Sequence, residues 1–223
     1  MENRLHMIFD AASALFINKG YVRTQMKDIA KQIGLSTGML YVYFKGKKEL
    51  LDFILKGTID REFIGRDFSY PITEELFWGL EDEVIAVLEE SCRGFGAPLE
   101  RQARGYPFCQ MVSDAFDTIA RYGTGCLILE KNIGDMGKLG AYYQEYRKKF
   151  FGQMLAYIRL YETLGEIRAI KYPELTTQLM IETLAWWGMH AMHDAFEVQK
   201  DIPLDAAKEV CLDNLLSAYR RNG

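Results

Sequence analysis

TQMKDIAKQIGLSTGMLYVYFKGK, residues 24–47, is the stretch on which the fold turns. Met26, Ile29, Ala30 and Ile33 recur at helical spacing, so a short helix beginning at Thr24 presents one apolar face. Gly34-Leu35-Ser36 ends it. Glycine takes the left-handed backbone that a sharp bend needs, and Ser36 can cap a third helix over Thr37–Tyr43. Lys45-Gly46-Lys47 then opens a fourth helix. Two short helices joined by a turn of about three or four residues containing glycine form a helix-turn-helix unit. Ala30 is small where the two helices cross, and Leu35 can fill the space under the bend.

Helical periodicity continues on both sides. Upstream, a helix from about Asn3 to Asn18 packs Ile8, Ala11, Ala12, Leu15 and Phe16, with Gly20 as its left-handed cap. Downstream, the fourth helix spans roughly Lys47–Gly65, and Pro71 marks a break. Further helices are predicted at Glu74–Gly94, Pro107–Tyr122, Leu139–Leu164, Pro173–Glu197 and Leu204–Arg221. The glycines of 94–105 and 123–140 predict loops or broken helices there. No strong alternating strand run occurs, and no Asn-Gly or Asp-Gly hairpin lies between apolar stretches, so the expected fold is all-α. It would comprise a three-helix head at residues 1–62, which includes the start of a connecting helix, and a helical bundle at 63–223.

Charge follows the same division. Residues 1–48 carry eight Lys/Arg against three Asp/Glu, whereas the whole chain has a net charge of −4. A basic head on an acidic body suits a protein whose head alone meets phosphate, although a solvated charged face gives the same count. No segment approaches the roughly 18 apolar residues of a membrane span, and no apolar leader follows Met1. Four scattered cysteines without a CxxC pair read as buried reduced thiols. The expectation is a soluble, cytoplasmic protein that meets no membrane.

Residues 8–51 resemble the tetracycline-repressor (TetR) family. The match lies in Ala11-Ala12, Leu15-Phe16, Gly20-Tyr21, Thr24, Met26, Asp28-Ile29-Ala30, Gly34-Leu35-Ser36, Gly38, Leu40-Tyr41, Tyr43-Phe44, Lys47 and Leu50. Gly46 stands where the family usually has Ser, and Lys48 where it usually has Glu. The resemblance implies a bacterial transcriptional regulator, most often a repressor, that binds a palindromic double-stranded DNA operator as a homodimer. Thr24 and Gln25 would then offer donors to a phosphate at the start of the second helix, with Lys27 adding charge. Ser36, Thr37 and Gly38 would lie at the base-facing end of the recognition helix, with Val42 able to touch a thymine methyl. Tyr41 and Tyr43 would meet the sugar-phosphate wall, and Lys45 and Lys47 would contact phosphate. Tyr41 also reads as a packing aromatic, and Lys48 as a solvated surface charge. The recognition helix lacks Arg, Asn and Gln, so readout would lean on apolar contacts, hydroxyls and DNA shape.

The resemblance further implies a small-molecule effector held among the middle helices, its identity open, and a dimer interface on the last two. Phe108, Met111, Phe116, Tyr142, Tyr143, Tyr146, Trp186 and His190 are the pocket candidates, since aromatics and Met build adaptable apolar cavities. Most aromatics at helical spacing are simply core. Leu184, Met192, Leu215 and Leu216 are the interface candidates. His190, His193 and Asp194 are the only cluster hinting at metal or acid–base chemistry, and the simpler reading is a hydrogen-bonded interface histidine. Neither a phosphate loop nor a nucleophile elbow occurs, so no enzyme activity and no cofactor are expected.

Overall fold

The computed structural model describes residues 2–193 and 202–221, with side chains from residue 4. The helices are α1 (Glu2–Asn18), α2 (Met26–Gln32), α3 (Thr37–Tyr43), α4 (Lys47–Ile59), α5 (Leu80–Glu100), α6 (Phe108–Arg121), α7 (Gly123–Lys131), α8 (Gly137–Leu164) and α9 (Pro173–Ala185). From α9 the chain passes through a π-helical turn, Trp186–His190, into α10 (Ala191–His193), and α11 is Leu204–Tyr219. The described residues hold isolated bridges but no strand, so the fold is all-α. None of their helices is long and apolar enough to cross a membrane. The chain divides into two compact units, residues 1–87 with 124–143, and 88–123 with 144–223.

The first unit is built on the helix-turn-helix. Ile8, Phe16, Ile29, Leu40, Phe44, Leu50, Phe53 and Ile54 are shut from water. Each such burial contributes roughly 1.5–3 kcal/mol against the cost of ordering the chain. Gly34 turns the chain at φ +69°, and Leu35 N donates to Ala30 O at 2.9 Å. Ser36 caps α3 by accepting from Met39 N at 3.2 Å. α4 stops at Ile59, short of the expected Gly65, and residues 60–79 form a strap with two 3₁₀ turns, Phe63–Gly65 and Glu74–Phe77. Aromatic rings explain the strap: Phe63 and Phe68 both pack on Phe53, so their burial substitutes for further helix. The strap then pairs with the end of α3. Lys45 N donates to Ile72 O at 3.0 Å, and Ile72 N to Tyr43 O at 2.8 Å.

The second unit packs α6, α9, α11 and the later parts of α5 and α8 around Met111, Phe116, Met154, Tyr157, Tyr161 and Leu184. The two core tyrosines stay satisfied because Tyr157 Oη donates to Phe95 O and Tyr161 Oη to Tyr106 O, each at 2.6 Å. Burial raises the pKa of both phenols well above the ordinary value.

Of the loops or broken helices expected for the glycine-rich stretches, the structure shows helices with interruptions. α5 runs on to Glu100 through Gly94, Gly96 and Pro98, and α7 fills much of 123–140. The glycines serve close packing. A Cβ on Gly96 would strike the Gln153 side chain, and one on Gly125 would lie 2.9 Å from Thr58 Cγ2. Cys92, Cys126 and Cys211 are buried as expected, while Cys109 is only partly covered.

Candidate nucleic-acid interface

The surface around α2 and α3 divides into groups already committed to the protein and groups offered to solvent. Thr24 belongs to the first kind. It is fully buried, and its hydroxyl donates to Gly20 O at 2.8 Å. Its amide is also engaged, with Gly20 O and Tyr21 O. The phosphate-facing donor expected of Thr24 is therefore directed inward, and α2 begins two residues later, at Met26.

Gln25 is exposed, yet its amide donates to Asp28 Oδ2 at 2.9 Å. That carboxylate also accepts from Lys19 Nζ at 2.5 Å, and the bond to Lys19 holds its pKa below the usual range. The positive end of α2 thus already faces an internal anion. Lys27 stays exposed beside it.

Lys47 is also committed internally. Its ammonium donates to Tyr21 O at 2.8 Å, Val22 O at 3.3 Å and Thr24 O at 2.9 Å, and lies 4.4 Å from the centre of the Tyr21 ring. Those carbonyls belong to the connection between α1 and α2, so Lys47 ties α4 to that turn. Partial burial lowers its pKa.

α3 is the open surface. Leu40, Tyr43 and Phe44 face the core, and the opposite side presents Gly38, Tyr41 and Val42, with Thr37 half-buried beside them. Tyr41 is 48% and Val42 53% exposed, an unusual display of apolar area on a helix with a closed inner face. Ser36 is exposed, with its hydroxyl engaged in the cap. Lys45 is exposed while its amide is held by Ile72. Tyr43 departs from expectation: its ring is buried edge-on against Tyr70 at 5.1 Å, leaving its hydroxyl to accept from Arg4 Nη1 at 3.4 Å. Residue-type reasoning missed Arg4 and the exposed Met39 on α3. A basic residue ahead of the apolar repeat of α1 was the available signal for Arg4.

A third unforeseen residue supports this surface from behind. Buried Asn132, just after α7, accepts from Tyr21 N at 2.6 Å and donates to Phe16 O at 3.0 Å. It secures the end of α1 and the turn that Lys47 also grips.

The expected pocket residues fall in both units. Tyr142 and Tyr143 belong to the first unit and the other six to the second. Met111 and Phe116 are sealed in the core, and Tyr143 and Tyr146 are buried. Trp186 is exposed and stacks on His190 at 5.7 Å. The second unit has a cleft of about 430 Å³ bordered by Phe108, Cys109, Glu166, Leu216 and Arg220. Another, of about 310 Å³, is bordered by Phe95, Tyr106, Asp114 and Arg121. Of the eight candidates, Phe108 borders the first of these clefts and none borders the second. Asp194 lies outside the described residues. No group of three potential metal ligands occurs among those described.

The interface expected at Leu184 and Leu215 needs correction, because both are buried within the second unit. The exposed apolar side chains on α9 are Leu175 and Leu179, with Trp186 following and Val210 on α11.

Residues 8–54 match the model of the bacterial regulatory proteins of the tetR family. The chain is 40% identical over 60 residues to the HTH-type transcriptional regulator HbdR of Aromatoleum sp. (strain CIB), a match covering 27% of this chain and 26% of that protein. It is 41% identical over 59 residues to the fatty acid metabolism regulator protein of Bacillus subtilis (strain 168), covering 26% and 30%. The matched stretch therefore spans about a quarter to a third of these relatives. Over nearly its whole length the fold is similar to the ketosteroid transcriptional regulator KstR2 of Mycobacterium tuberculosis, with a TM-score of 0.56 at 18% identity, covering 98% of this chain and 96% of that one.

Proposed function

Since the chain belongs to the tetR family of bacterial regulatory proteins by its head, residues 8–54, we propose that it is a DNA-binding transcriptional regulator, a repressor released from its operator by a small molecule. The observation that carries this reading is α3: a seven-residue helix with a closed core face and an outer face of Gly38, Tyr41 and Val42 turned to solvent. Such a helix fits a major groove, where Val42 can meet a thymine methyl and Gly38 permits close approach. Gln25, Lys27, Thr37, Tyr41 and Lys45 complete the contact surface, and Arg4 joins them.

Two heads are needed to read a near-palindrome, so the regulator acts as a homodimer. Leu175 and Leu179, 71% and 59% exposed on α9, suit burial against a second copy. In this division residues 1–62 read DNA, and 63–223 dimerise and sense the effector. The relatives are regulators, and the chain is read as a regulator and not an enzyme.

The test is anisotropy of labelled duplex DNA taken from upstream of the chain's own gene, titrated across a salt series. Affinity that falls steeply with salt and exceeds that for scrambled duplex is expected. Equal affinity for both duplexes would exclude operator recognition.

A further inference from the structure

The first unit contains a cleft of about 560 Å³, within the range of small-molecule sites, away from the DNA-facing surface of α3. Its apolar walls include Leu51 and Leu55 of α4, Phe77 of the strap, Leu80, Met136 and Leu139, with Tyr21 beside them. Its polar lining is one-sided. Asp52, Glu81, Asp82 and Asp135 line it with one ammonium, Lys48, and a second, Lys138, stands beside Asp82 and Glu81. Lys48 pairs with Asp52 at 2.6 Å, and Lys138 pairs with Asp82 at 2.5 Å. Glu81 and Asp135 form no ion pair with any described residue. A cavity with apolar walls, aromatic faces and more carboxylates than ammoniums favours a cation over a neutral or anionic guest of the same shape.

The walls also lead to the recognition helix. Phe77 packs on Phe63 at 6.3 Å, Phe63 on Phe53 at 5.3 Å, and Phe53 on Phe44, the residue capping α3, at 5.1 Å. The same strap holds the end of α3 through the backbone bonds of Ile72. Close-packed rings do not deform continuously, so a guest that parts the strap from α4 shifts the support of α3.

We propose that this cleft binds a lipophilic organic cation and that its occupation weakens DNA binding by displacing the strap that holds α3. The binding half stands by itself, and the DNA half rests on the regulatory reading above. Affinity differences for guest and DNA must be reciprocal.

Tetraphenylphosphonium and tetraphenylborate, alike in shape and opposite in charge, are the probes, used on the full chain with and without duplex. The phosphonium is expected to bind at least about tenfold more tightly than the borate and to shift the Met136 methyl resonance. Replacing the exposed carboxylates in a Glu81→Gln, Asp135→Asn double variant should remove most of that preference without unfolding the protein. Equal binding of the two probes, an unmoved Met136 methyl, or undiminished phosphonium affinity in the double variant would overturn the site. Release of duplex by phosphonium from the unmodified chain, lost in the variant, supports the coupling. Phosphonium bound at Met136 with unchanged duplex affinity overturns the coupling alone. If the chain binds no duplex under any condition, the regulatory reading and the coupling fail together, and the methyl shift still decides the site.

Discussion

The start of α2 and the outer face of α3 lie a few residues apart in one motif, and they treat their polar groups in opposite ways. At α2, Thr24 donates to Gly20, Asp28 occupies the helix end, and Lys47 binds three carbonyls. At α3, Tyr41, Val42 and Gly38 face solvent, and Ser36 is tied only to its own cap. The first region holds the scaffold still, and the second is what the scaffold displays. A residue type suited to phosphate does not contact phosphate if its donors are already used.

The distinction between committed and displayed groups is sharpest on α9, where the largest effect is expected. Leu184→Glu places a carboxylate inside the sealed second unit, a cost of several kcal/mol that should abolish cooperative thermal unfolding. Leu179→Glu, on the exposed side, should leave a folded protomer and shift sedimentation from dimer to monomer. Monomer produced by neither change, or by both with folding intact, would erase the contrast.

Next in size is α3 itself. Tyr41→Ala and Val42→Ala should each lower operator affinity about tenfold or more, as loss of a base or backbone contact does, with the melting temperature nearly unchanged. A fall in melting temperature with no loss of DNA binding would move these side chains to the scaffold.

The two lysines can be compared directly by salt titration. Lys45→Ala should flatten the dependence of log K on log salt by about one phosphate contact. Lys47→Ala should alter that slope less and lower the melting temperature more, because its ammonium serves the Tyr21–Thr24 carbonyls. Equal slopes would show that Lys47 turns outward on DNA.

Thr24→Val tests the committed hydroxyl. Each carbonyl it serves also accepts from a backbone amide, so the loss should be about 1 kcal/mol in a denaturant titration, with operator affinity kept. The smallest effect is expected at Asp28, whose native pKa is depressed by Lys19 and the Gln25 amide. A depressed carboxylate contributes stability above its unfolded pKa and loses it as pH falls through the native value. The melting temperatures of the wild type and Asp28→Asn should therefore differ at neutral pH and converge in acid below about pH 4.

Local chemistry alone made the helical class and the helix-turn-helix legible. Apolar spacing in 24–47, the bend at Gly34 and the cap at Ser36 are decided within a few residues, where the repeat of the helix sets which side chains share a face. The exposed side of α3 followed from the same spacing. What composition left open, between loop and broken helix, were the glycines of α5 and α7, since a glycine packed under a neighbouring side chain and a glycine in a loop look alike in sequence.

Only tertiary structure decided which polar groups remained available. Lys47 reaches back 26 residues to Tyr21 O, Asn132 reaches 116 to Phe16 O, and Ile72 closes the strap onto Tyr43 and Lys45. The same is true of α9, where Leu179 and Leu184 are equally apolar and only packing separates the displayed one from the buried one. Periodicity is a property of near neighbours. The partner of a donor or of a methyl group depends on which distant segments fold against it.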